Sequence, residues 1–66
     1  MDPNKAWSDL AVAVRHDGWQ EAAELAEALA GWINTGGFPP TITGNEVFDR
    51  IVVKATIESI AAWEVA

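Results

Sequence analysis

The chain has 66 residues, ten acidic against four basic side chains, a formal net charge of −6, one histidine and no cysteine. A disulfide framework is excluded, and the negative charge disfavours direct contact with nucleic acid phosphates and with anionic membrane surfaces. A domain this small buries only about 60% of the surface its unfolded chain exposes, so its stability margin is thin and oligomerisation is a common support.

Asp2 followed by Pro3 predicts a helix start, because the carboxylate accepts from free first-turn amides and proline needs no donor there; Asn4 is the alternative cap. Trp7, Leu10, Ala11 and Val14 then recur at the spacing of a buried helical stripe, with Lys5 and Asp9 placed to pair one turn apart. Gly18 supplies a stop near His16. Asp17 and Gln20 have the spacing of a capping box for a second helix. Along it Trp19, Ala22, Ala23, Ala26, Leu29, Ala30 and Ile33 share a stripe opposite Gln20, Glu21, Glu24 and Glu27. Alanine on the inner side suits close approach of an antiparallel neighbour. Gly31 inside this helix implies a close helix crossing or early fraying. The payload of four tryptophans (Trp7, Trp19, Trp32, Trp63) leads us to expect at least two of them in the core.

Asn34, Thr35, Gly36 and Gly37 end the second helix, and Phe38-Pro39-Pro40 forms a stiff, extended connector. Thr43 with Glu46 has the pattern of a capping box, and Ile42 with Val47 that of a hydrophobic staple, which together predict a third helix from about Gly44 toward Trp63. Its apolar residues fall on two faces, Val47, Phe48, Ile51, Val52 and Ala55 on one, and Val53, Ile57 and Ile60 on the other. Glu46, Arg50, Lys54 and Glu58 run along it at helical spacing. The β-branched run from Ile51 to Ile57 leaves a strand as the competing reading. The expected fold is a single all-α domain over residues 1–66, a small three-helix bundle made of a helical hairpin and a longer third helix.

The stock for catalysis is poor. Nucleophilic chemistry needs a hydroxyl or thiol beside a base, and His16, at a predicted helix end, is the single histidine. No inward Glu-x-x-His pair exists for a dimetal site, and Glu21, Glu24 and Glu27 lie opposite the buried stripe. The pair Gly36-Gly37 leads into two prolines that donate nothing to a phosphate. No enzyme activity, cofactor or metal is therefore expected. A second apolar face on the third helix predicts self-association, a dimer being favoured, through Val53, Ile57, Ile60 and Trp63. Phe38, Pro39 and Pro40 are candidates for docking on a protein partner, against the plainer reading of a helix stop and rigid turn.

The longest uncharged stretch, Ala28 to Asn45, is broken by Gly36, Gly37, Pro39 and Pro40 and does not read as a membrane span. The start Met-Asp-Pro-Asn lacks the pattern of a signal peptide, so a cytoplasmic protein is expected. Leu10 to Leu29, with Asp17-Gly18-Trp19-Gln20-Glu21-Ala22 at its centre, resembles one tetratricopeptide-type helical hairpin. That resemblance covers under a third of the chain and implies two antiparallel helices. With no second copy, it does not imply a peptide-binding solenoid. The run from Trp19-Gln20-Glu21-Ala22 through Trp32 into Gly36-Gly37-Phe38-Pro39-Pro40 also resembles short bacterial proteins of uncharacterised function, which implies no activity. The leading expectation is a non-enzymatic protein–protein interaction module that self-associates. Alternatives are an acidic inhibitor that imitates nucleic acid charge through Glu21, Glu24 and Glu27, and a small metal protein or enzyme.

Overall fold

Asp2 caps the first helix: its Oδ1 accepts from the amides of Asn4 at 3.0 Å and Lys5 at 3.3 Å, with proline in the first helical position. In the computed structural model, which describes residues 1–65 and side chains through Trp63, three helices follow one another: α1 Pro3–Arg15, α2 Trp19–Asn34 and α3 Glu46–Val65. The chain is an all-α three-helix bundle, and Ile51 to Ile57 lies wholly within α3, which removes the strand alternative.

The turn between α1 and α2 differs from the expected cap. Asp17 adopts φ +56°, and Gly18 donates to Ala13 O at 2.8 Å while Asp17 donates to Val14 O at 3.2 Å. This is a Schellman closure of α1 with aspartate in the left-handed position. Asp17 is thereby committed to ending α1, and α2 begins at Gly18 without a side-chain cap. The same closure ends α2: Gly36, at φ +90°, donates to Ile33 O and Gly37 to Trp32 O. Gly37 packs so close to the Trp32 indole that a Cβ would overlap it.

The α3 boundary also moves. Asn45, not Thr43, is the cap, since its Oδ1 accepts from the Phe48 amide at 2.9 Å. Thr43 is instead bound to Asp49, and Ile42 and Val47 are both exposed, so no staple forms. Asn4 holds the connector from the other side, its Oδ1 accepting from the Thr41 amide at 2.7 Å.

The main core joins Ala6, Leu10 and Ala13 of α1 to Ala22, Ala26 and Leu29 of α2 and Ile60 of α3. The buried stripe of α1 is thus turned away from the expected one, because small alanines permit the close α1–α2 approach and push bulkier neighbours to the flank. Trp7 is only half-buried, and Ala11 and Val14 are exposed. None of the four tryptophans is buried, contrary to the expectation of two indoles in the core. An indole does not fit between helices separated by alanine contacts.

Candidate functional site: an open apolar groove between α1 and α3

Both α1 and α3 pack on α2, yet among the described residues no Cα of α1 comes within 8 Å of a Cα of α3. Val14, late in α1, and Trp63, late in α3, line the same cleft, so these two helices run parallel and α2 antiparallel to both. The third side of the bundle is open.

Two clefts of about 270 and 420 Å³ occupy that side and share Val14 and Thr56. Trp7, Leu10 and Ala11 line the α1 wall of the first; Ala55, Ser59, Ile60 and Trp63 line the second. The walls are almost wholly apolar. Two threonine and serine hydroxyls inside are already engaged, Thr56 donating to Val52 O at 2.9 Å and Ser59 to Ala55 O at 2.8 Å. Among the described residues that line the groove, none is poised to move a proton or hold a cation; the groove can exclude water from an apolar surface.

Further apolar side chains are exposed at the start of α3. Val47 is 72%, Phe48 53% and Ile51 58% exposed, although these residues share a face that the sequence suggested for the core. The expected seam is the reverse. Val53 is 0% and Ile60 6% exposed, Ile57 packs against the core, and only Trp63 of that set is open to solvent. The physical reason is rotation about the helix axis. Asp49, Val53, Thr56 and Ile60 lie within a narrow arc, and the carboxylate at the head of that arc binds the connector, which turns it inward. Val53, Ile57 and Ile60 are therefore part of the molecule's own packing and do not supply a free surface.

Asp49 is buried and was not singled out by the sequence pattern. Its Oδ1 accepts from the Thr43 hydroxyl at 2.6 Å and the Thr43 amide at 2.7 Å, and its Oδ2 from the Ile42 amide at 3.2 Å. The Thr43 hydroxyl is the main cause holding this carboxyl below its ordinary value of 3.8; burial opposes it, and the amides of Thr43, Ile42 and Gly44 reinforce it. The residue is a clamp between connector and helix. Three uncharged residues before a helix followed by an aspartate in its first turn was the signal available.

Phe38-Pro39-Pro40 lies in the irregular connector after the Thr35-Gly36 turn, with a single exposed member. Pro39 and Pro40 are buried, which corrects the idea that the prolines are offered to a partner. Phe38 remains exposed but stands edge-on to Trp32, ring centroids 5.7 Å apart at 83°, and its carbonyl accepts from Trp32 Nε1 at 2.7 Å. His16 is exposed at the α1 C-cap, and Glu21, Glu24 and Glu27 are exposed on α2.

Among the described residues, no helix is long and apolar enough to cross a membrane, and no group of three or more histidine, cysteine, aspartate or glutamate side chains is placed to hold a metal ion. In comparisons with family models, curated proteins and solved structures, no match to this chain was found.

Proposed function

We propose that the protein is a non-enzymatic helical interaction module that associates with a second copy of itself, in the cytoplasm, through the outer face of α3 and the groove beside α1. The observation that carries this is the exposure of Val47, Phe48 and Ile51 on a helix whose opposite side is already filled by Asp49, Val53 and Ile60. Exposed apolar side chains of this kind, together with Trp7, Val14 and Trp63 lining the groove, are characteristic of an association site. The seam expected at Val53, Ile57 and Ile60 is replaced in this reading by the opposite side of the same helix.

Sedimentation equilibrium of the wild type and two variants tests it. Ile51→Glu places a charge on the outer face and is expected to yield a folded monomer, helical by circular dichroism. Val53→Glu places an unpaired charge in the core, at a cost of several kcal/mol, and is expected to unfold the chain. A wild type that stays monomeric to about 1 mM, a concentration at which even weak association registers, overturns the proposal.

A further inference from the structure

The two walls of the groove do not touch, although burial of apolar surface would draw them together. At one end the connector reaches both walls. On α1, Asn4 stands seven residues before Ala11, two helical turns, and so on the flank that lines the groove. On α3, Asp49 stands seven residues before Thr56 and fourteen before Trp63, again on the line of residues that face the groove.

Both polar side chains bind the short segment 41–43. Asn4 Oδ1 accepts from the Thr41 amide at 2.7 Å. Asp49 Oδ1 accepts from the Thr43 amide at 2.7 Å and from its hydroxyl at 2.6 Å. The two amides belong to residues two apart in the chain, so the bridge between the walls spans at most about 7 Å. Pro3 and Pro40, each beside one partner of the Asn4–Thr41 bond, are fully buried, so this end is packed as well as hydrogen-bonded.

We infer that residues 41–43 are a strap across one end of the groove, which fixes the spacing of α1 and α3 there and with it the width of the groove. Asn4 and Thr43 are its positioning residues, one at each wall. This spacing is a property of a single chain and does not depend on a second copy entering the groove. A groove of preset width takes up its occupant without first having to be ordered, which lowers the cost of docking.

Pairs of spin labels read the spacing in a chain that has no cysteine of its own. Ser8→Cys with Val47→Cys places exposed labels on α1 and on α3 near the strap, and Ser8→Cys with Ala28→Cys reports on α1 and α2. Labelled chains are diluted in unlabelled protein, so that only distances within one chain are read. Asn4→Ala removes the acceptor at the α1 wall and keeps the backbone amide that Asp2 caps. Thr43→Val removes the hydroxyl at the α3 wall. Each is expected to broaden and shift the α1–α3 distance distribution, while the α1–α2 distribution stays as in wild type. Asn4→Asp, whose carboxylate still accepts, is expected to keep the wild-type distribution. An α1–α3 distribution unchanged in both Asn4→Ala and Thr43→Val, equal broadening of both label pairs, or Asn4→Asp behaving as Asn4→Ala overturns the strap. Self-association is read separately, by sedimentation of the unlabelled wild type, so either proposal can fail without the other.

Discussion

Asp49 shows how one carboxylate sets the rotation of a whole helix. Its hydrogen bonds to Ile42 and Thr43 tie the connector to the start of α3, and every one of them favours the ionised form. The folded-state pKa lies below the ordinary value of 3.8, so this stabilisation is complete above that pH and is lost as the pH falls through the lower folded value. Asp49→Asn is expected to lower the melting temperature at neutral pH. The difference from wild type should shrink toward zero in strong acid, which thermal melts by circular dichroism across pH 2 to 7 would follow. Glycines offer a contrast at the same scale. An added Cβ at Gly31 meets nothing within 4 Å, so neither a close crossing nor fraying accounts for that glycine in a helix that continues to Asn34. Gly31→Ala is expected to stabilise the chain by about 0.5 to 1 kcal/mol. Gly36, at φ +90°, is held where a Cβ strains the backbone, and Gly36→Ala should destabilise it by about 1 kcal/mol or more in denaturant titration.

The three helices differ in how far their faces could be read. α2 carries one stripe, and its buried residues Ala22, Ala26, Leu29 and Ile33 lie within the expected set. α1 has bulky residues, Trp7 and Val14, beside a line of Ala6, Leu10 and Ala13, and the choice between them depends on how close α2 comes. Alanine packing decided for the close approach. Ala22→Leu, which forces a larger side chain into a fully buried site, is expected to cost about 1 to 3 kcal/mol, observable as an earlier denaturation midpoint. In α3 two apolar faces compete, and composition favours neither. Burial of Val53 over Ile51 follows from Asp49 and the connector, features that periodicity does not record.

Across the molecule, small size and an open third side belong together. With α1 and α3 both packed on α2 and apart from each other, the bundle leaves Trp7, Val14, Phe48, Ile51 and Trp63 accessible, and a second copy would complete what one chain leaves uncovered. The opposing term is electrostatic, because each copy carries a formal charge of −6. Raising ionic strength toward 0.15 M shortens the Debye length to about 8 Å and should tighten a dimer limited by that repulsion. Sedimentation at low and moderate salt would show it; a dimer that loosens steeply with salt would place ion pairs ahead of apolar contact.

Local sequence determined the all-α class, the Asp2 cap, the Lys5–Asp9 pair at 3.1 Å, the glycine-rich end of α2 and its inner face. These depend on interactions within a few residues, or on a single apolar stripe that has one way to be buried. Only the tertiary structure decided which side of α3 faces inward, that the tryptophans stay at the periphery, and that Pro39 and Pro40 are covered while Phe38 is not. Those outcomes depend on the separation of helices and on contacts such as Asn4 with Thr41, between residues far apart in the chain.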